Sequence, residues 1–212
     1  MKSYPVINNR KIRVAIIGCG RISKNHFESI EKNNKDIELV SICDDDQSVL
    51  TVHEKKYNIK GYLDLASMIE NVDLDLVVIC TPSGLHAEQT EMCSKKGINI
   101  MTEKPMATRW NDGIRMVKVC DQAGVRLFVV KQNRNNPTIK LLQRAIKENR
   151  FGKIHMVHLN VFWSRPQSYY DQATCRGTWE FDGGALMNQA SHYIDLMDWL
   201  IGPIDKVQAM IS

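Results

Sequence analysis

A chain of 212 residues that is 43% hydrophobic can bury a sizeable core, as one large domain or one and a half ordinary ones. Its 28 Lys and Arg and 24 Asp and Glu are nearly balanced and spread along the sequence without a basic block, which argues against nucleic acid as a partner. The longest apolar runs are strand-sized and the N-terminal MKSYPVINNRK lacks the apolar core of a signal peptide, so neither a membrane partner nor a secretory signal is expected.

Taken in chain order, KIRVAIIG reads as a buried strand, followed by a helix from about Ile22 to Asn33. IELVSIC is a second strand, QSVLTVHEKKY a helix, GYL a minor strand and DLASMIEN another helix. LDLVVIC is a third clear strand, followed by the helix LHAEQTEMCSKKG; INIMT, the helix TRWNDGIRMVKVCDQAG and the strand VRLFVVK complete the series. β-Branched runs separated by helices are the pattern of a parallel sheet covered on both faces. After QNRNNP the texture changes to a helix, TIKLLQRAIKEN, and an alternating run, KIHMVHLNVFW, whose period of two predicts a strand with one covered face. The fold class is therefore α/β: a dinucleotide-binding domain over residues 1–133, then an α+β open-sheet domain over 134–212 for substrate and oligomer contacts.

The first strand ends in GCGRISKNH. Glycines at Gly18 and Gly20 permit a tight turn and a close backbone approach to a pyrophosphate, whose charge the helix N-terminus stabilises. Ser23 stands where a third glycine is usual. Asp44 ends the next strand, where a carboxylate accepts the ribose hydroxyls of NAD, and with Asp45 and Asp46 it would repel the 2′-phosphate of NADP. The competing reading is an acidic turn that caps the next helix. The six cysteines form no C-x-x-C pair and mostly sit in apolar runs, as buried free thiols do in a reducing cytosol, so a cytoplasmic protein is expected. The histidines suggest no metal site, since His155 and His158 would point to opposite faces of their strand.

Two further strand ends, CTPSGLHAE and TEKPMAT, carry polar residues at the sheet edge where ligands of open α/β sheets sit. Thr81 is equally a cap, whereas Lys104 at the sheet mouth can stabilise an alkoxide or exchange its proton. The stretch DGGALMNQASHYIDLMDW predicts a helix with Leu186, Ala190, Tyr193, Ile194, Met197, Leu200 and Ile201 on one side. Asn188, His192, Asp195 and Trp199 stack on the other. The apolar side is expected to pack on a sheet and the polar side to face a ligand; a satisfied core histidine is the plain alternative for His192. Asp195 could polarise the His192 ring or be solvated. Arg165, Gln167, Tyr169, Tyr170 and Arg176 offer cations, hydrogen bonds and flat rings within one segment, which by composition alone is also an ordinary surface loop.

The ordered set of a G-x-G-R-I turn, T-P-x-x-x-H, E-K-P and G-G-x-L-x-[DN]-x-x-x-H resembles the Gfo/Idh/MocA oxidoreductases from about Lys11 to the last residue. The resemblance implies NAD as cofactor, with Gly18, Gly20, Arg21, Ile22 and Asp44 at the first turns and Thr81, His86, Glu103 and Lys104 around the nicotinamide end. It implies a catalytic cluster of Lys104, Asn188 and His192. With VKQNRNNPT and the run from Asn160 to Tyr193, the chain is similar to the branch of that family that oxidises the 3-hydroxyl of UDP-N-acetylglucosaminuronate for lipopolysaccharide sugars. That similarity implies a nucleotide-sugar substrate held by Arg165, Gln167, Tyr169, Tyr170, Arg176, Asn188 and His192, and a homo-oligomer at full length. His192 is the favoured base, Lys104 stabilises the alkoxide and Asn188 holds the hydroxyl, although Lys104 as base with His192 as orienter stays open. A family dehydrogenase for a free sugar or inositol, or a non-catalytic binder of NAD or sugar, are the alternatives. DKVQAMIS reads as the start of a strand in an unfinished sheet, so a chain truncated or split relative to the family is expected.

Overall fold

A computed structural model describes Tyr4 and residues 6–210. Its sheet consists of β1 (Ile12–Ile17), β2 (Ile37–Cys43), β3 (Lys60–Tyr62), β4 (Leu76–Ile79), β5 (Asn99–Thr102) and β6 (Leu127–Val129). They alternate with α1 (Ser23–Lys32), α2 (Gln47–Tyr57), α3 (Leu65–Asn71), α4 (His86–Lys95) and α5 (Trp110–Ala123). Every pairing is parallel and the strand order is β3-β2-β1-β4-β5-β6. The doubly wound parallel sheet expected from the apolar runs is thus formed. Between β1 and β4 the direction of winding reverses, and the crevice at their carboxyl ends is where such sheets bind ligands.

The alternation of side chains along each strand builds two cores. Ala15, Ile17, Val77 and Ile79 point to one face, where they meet Leu65, Met68, Cys93 and Cys120 of α3, α4 and α5. Val14, Ile16, Ile42 and Val78 point to the other face, against Phe27 and Ile30 of α1 and Leu50 of α2. Local signals fix the helix ends. The Asp46 and Asp64 side chains accept the backbone N–H of Ser48 and Ser67 at the starts of α2 and α3. Gly124 closes α5 with φ near 69°, a left-handed turn that glycine adopts without cost.

After β6, a short 3-10 turn leads to α6 (Pro137–Lys147), capped by Asn136 with proline in its first turn. A one-turn helix, α7 (Gln167–Tyr170), follows, then a π-helical turn over Leu186–Ala190 that continues into α8 (Ser191–Ile201). The strands expected at KIHMVHLNVFW and DKVQAMIS are not formed among the described residues; residues 211 and 212 of the latter lie outside them. Residues 153–160 instead have no regular secondary structure and are all exposed. The reason is physical: an alternating run becomes a strand only when another backbone pairs with it, and residues 134–210 provide none.

The helix carrying His192 turns its polar side to the edge of the sheet, but the packing expected of its apolar side is not met. Its apolar side does not pack on a sheet; Leu186, Ile194 and Ile201 are exposed, whereas His192 and Leu196 are the buried residues of α8. Tyr193, Leu196, Met197 and Leu200 join Leu142 and Ile146 of α6 and the run 153–159 in an apolar groove of about 680 Å³. Among the described residues no helix is long and apolar enough to cross a membrane.

Leu50 and Leu186 separate the finished core from the open face. Leu50→Ala, at 1% exposure, should lower the free energy of unfolding by about 2–5 kcal/mol. Leu186→Ala, at 62% exposure, should change it by no more than about 0.5 kcal/mol. Denaturant titration of both variants checks this, and equal losses would contradict the burial described.

Candidate active site

The crevice between β1 and β4 begins at Gly18. There φ is +81°, and an added Cβ would stand 2.8 Å from the Thr81 backbone nitrogen, so only glycine lets the two strand ends approach this closely. A Cβ on Gly20 would meet nothing within 4 Å, leaving room beside the backbone for a bound group. Ser23 replaces a third glycine without strain: it is buried, and its hydroxyl donates to the Gly20 carbonyl at 2.6 Å, closing the turn.

Asp44 accepts the Cys19 N–H at 2.7 Å through one oxygen and the Asp46 N–H at 3.0 Å through the other. Each oxygen keeps a lone pair, enough for two ribose hydroxyls. The cleft, about 350 Å³, is lined by Gly18, Gly20, Asp44, Asp45, Asp64 and Thr81 among others. The third carboxylate is therefore Asp64 and not the expected Asp46, whose side chain is turned to the cap of α2. Burial pushes the Cys19 and Cys43 thiols up to about 12, so neither is a thiolate at neutral pH. The room at Gly20 and the acceptors of Asp44 fit an adenine dinucleotide.

At the next strand end His86 is fully buried, with Nδ1 3.1 Å from the Pro105 carbonyl and 3.0 Å from the Thr102 hydroxyl, and Nε2 3.0 Å from the Thr81 carbonyl. The expectation that His86 contacts the cofactor is therefore corrected: both nitrogens are spent bracing the loops after β4 and β5. The Thr81 hydroxyl is likewise committed to Gln89 at 2.6 Å.

Lys104 follows Glu103 and precedes Pro105 across a cis peptide. Its Nζ donates to the Asn188 carbonyl at 2.8 Å and to Asn188 Oδ1 at 2.9 Å, so the loop after β5 and the π turn before α8 meet at one ammonium. The Asn188 amide nitrogen donates to Asp182, which fixes the amide with its oxygen toward lysine; Asp182 is held in turn by the Gly177 N–H at 2.9 Å. Burial holds Lys104 below the ordinary lysine value, with Lys131 and Arg21 adding to the effect and Glu103 and Asp182 opposing it. Ile22, beside Arg21, packs into the core under α1.

His192 is buried on the face of α8 turned to this cluster, and its Nδ1 has no hydrogen-bond partner among the described residues. Burial lowers its pKa below 6.5 and the charges of Lys104 and Lys131 act in the same direction, so the ring is neutral at pH 7. Asp195 is largely shielded from solvent, and its charge raises the His192 pKa, opposing burial, with no hydrogen bond between the two. It receives a two-pronged hydrogen bond from Arg134 at 2.9 and 2.7 Å, with Lys131 at 3.7 Å, and the Arg134 guanidinium also lies over the Trp199 ring. These pairs seat the polar face of α8 on the segment after β6 that joins the two domains.

The proposed substrate segment forms a separate cluster. Tyr169 has Arg165 at 5.4 Å and Arg176 at 4.5 Å from its ring centre, and meets Tyr170 edge-on. Arg176 also donates to the Tyr169 carbonyl at 2.6 Å, while Gln167 is turned to Asp171. Only Arg165 reaches toward the lysine cluster, through Gln189 at 3.5 Å, next to Asn188. Sequence reasoning missed Asp182, Lys131, Arg134 and His26; the last stood in the quoted GCGRISKNH run, and its helical position three residues beyond Ser23 was the available signal.

Residues 12–131 match the model of the Gfo/Idh/MocA oxidoreductase family, NAD-binding Rossmann fold, and residues 139–212 that of the Gfo/Idh/MocA C-terminal domain. The chain is similar to the WlbA dehydrogenase of Chromobacterium violaceum, solved with NADH and UDP-GlcNAcA: 56% identity, TM-score 0.93, over 96% of this chain and 59% of that one. The WlbA dehydrogenase of Bordetella pertussis, solved with the same two ligands, gives 55% and 0.90 over 92% and 59%. A D-apiose dehydrogenase of Paraburkholderia graminis is 27% identical over 96% of this chain and 53% of its own length. The myo-inositol 2-dehydrogenase of Thermotoga maritima is 27% identical over 90% and 55%. The chain thus spans little more than half the length of these proteins.

Two outcomes follow from the geometry. Asp44→Ala removes both ribose acceptors and the Cys19 N–H partner, so calorimetric titration should show weaker NAD binding and less discrimination against NADP; unchanged NAD affinity would remove Asp44 from the ribose site.

His86 and His192 both have folded pKa values below 6.5, so the unfolded chain binds more protons just below that pH. Their contribution to stability is complete above pH 6.5 and is lost as pH falls through the depressed values. Urea unfolding across this range should show a shallower decline for His192→Gln than for the parent; identical slopes would take His192 out of this dependence.

Proposed function

The chain belongs to the Gfo/Idh/MocA oxidoreductase family, and on that premise we propose that it oxidises the 3-hydroxyl of UDP-N-acetylglucosaminuronate with NAD. The observation that carries the reading is the meeting of Lys104, Asn188 and a neutral His192 at the carboxyl edge of a dinucleotide-binding sheet. The choice of sugar is supported by 55–56% identity to two dehydrogenases solved with NADH and UDP-GlcNAcA. Inositol and free-sugar dehydrogenases such as the two described above stand at 27%.

Oxidising a secondary alcohol removes a hydride from carbon and a proton from oxygen. Bound NAD supplies the acceptor for the hydride. A neutral imidazole is the form that can take the proton, which favours His192 as the base. Lys104 is a double donor whose charged form is favoured by the carboxylates of Glu103 and Asp182 against the burial that lowers its pKa, and in that form it can stabilise the developing alkoxide. Asn188, locked by Asp182, fixes where that charge sits. Arg165 and Arg176 on either side of Tyr169 offer guanidinium groups for diphosphate or carboxylate oxygens, with a ring surface between them. Presence of both Lys104 and His192 in one cluster supports an enzyme over a non-catalytic binder. The product would serve lipopolysaccharide sugar synthesis, and oligomer contacts belong to the second domain, from residue 134 onward.

Loss of the base should cost about 10²–10⁴ in turnover, so NADH formation with UDP-GlcNAcA should nearly vanish in His192→Ala and Lys104→Ala while NAD binding persists. Parent activity should rise with pH through a value below 6.5, where His192 becomes neutral. Near-normal turnover by His192→Ala would refute its role, and reduction of NAD by myo-inositol but by no UDP-sugar would refute the substrate.

A further inference from the structure

Helix α1 brings a second imidazole beneath the Lys104 loop. His26 Nε2 lies 2.8 Å from Glu103 Oε1, with both side chains largely buried. The other carboxylate oxygen of Glu103 accepts the Lys104 backbone N–H at 3.1 Å. A carboxylate buried this far is costly unless its oxygens are bonded, and here each oxygen has one partner. An ionised carboxylate can only accept, so His26 presents its Nε2–H to it. Glu103 thus stands between a donor from α1 and the peptide that carries the active lysine.

We propose that His26 is a positioning residue for Lys104, acting through the Glu103 carboxylate. Its bond keeps Glu103 ionised and aimed, and that carboxylate both grips the Lys104 peptide and sets part of the field at its ammonium. Burial by itself would raise the Glu103 carboxyl, but the bond from His26, the Lys104 N–H and the nearby positive charge outweigh it and hold it below the ordinary carboxylate value. The groups whose charges bear on Glu103 come from several elements: Lys104 on its own loop, His26 on α1, Cys80 at the end of β4, His86 on α4 and His192 on α8. Around Lys104, Glu103 and Asp182 favour the charged form and Lys131 and Arg21 disfavour it. Without His26, Glu103 loses the donor that opposes its burial.

That Lys104 acts on the substrate hydroxyl rests on the function proposed above; the link from His26 to Lys104 does not, and its test uses neither substrate nor cofactor. In protein carrying carbon-13 glutamate, the Glu103 carboxyl is followed by NMR against pH, its signal assigned by its loss in Glu103→Gln. In the parent it should titrate below 4.5. In His26→Ala the midpoint should rise by about one unit, and in His26→Gln, which restores an N–H donor, most of that rise should disappear. An unmoved midpoint in His26→Ala, or a His26→Gln midpoint shifted as far as that of alanine, overturns the proposal. Competitive acetylation of Lys104, read by mass spectrometry, tests the second half and stays informative if a His26 variant does not fold. Glu103→Gln should lower the pH of half-reaction at Lys104 by about one unit, and no change would show that the carboxylate does not act on the lysine.

Discussion

The two hydrogen bonds from Lys104 Nζ to Asn188 are the contact on which the arrangement turns. They join the loop after β5 to the π turn that leads into α8, and so decide which face of that helix meets the first domain. A buried ammonium is tolerable only with partners, and the partners are the Asn188 carbonyl and amide oxygens, backed by Asp182. Arg134 and Asp195 repeat the device two turns further along α8. The helix is therefore docked by its polar side, which places His192 beside the lysine and leaves Tyr193, Ile194 and Met197 facing away.

The cofactor cleft obeys a second constraint, close approach of backbones. Gly18 admits the Thr81 strand end, and Asp44 pins the Cys19 N–H of the same turn while its spare lone pairs face the cleft. The residue that sets the shape of the turn is the same one whose spare acceptors line the cleft. His86 and Glu103 continue the pattern on the other side: buried polar groups, hydrogen-bonded at both nitrogens and both oxygens, that hold loops in place around Lys104 and the glycine turn.

The parallel sheet and its helices were legible because the signal is local and repeated: apolar strands of four to seven residues, Asp46 and Asp64 as caps, Gly124 as a stop. The grouping of Lys104 with Asn188 was expected only from the resemblance to the Gfo/Idh/MocA oxidoreductases, since E-K-P taken by itself carries no such signal. What was not legible depends on distant surfaces. KIHMVHLNVFW has a strand's alternation but no partner backbone among the described residues, and periodicity cannot announce a missing neighbour. The two faces of α8 were separated correctly, yet which one is buried depended on Arg134 and Lys131, more than fifty residues upstream. The switch from Asp46 to Asp64 in the cleft has the same origin: the loop after β3 brings a carboxylate that sequence distance hides.

If Lys104, Asn188 and His192 act on one substrate, the sheet edge and the polar face of α8 together form one ligand site. Hydrogen–deuterium exchange of the protein with NADH and UDP-GlcNAcA added together tests it most directly, because it reads both halves whether or not the chain turns over. Slowed exchange at residues 18–23, at 103–105 and at 186–195 in the same experiment is the result expected. Protection confined to the glycine turn, with α8 and the Lys104 loop unchanged, would contradict it.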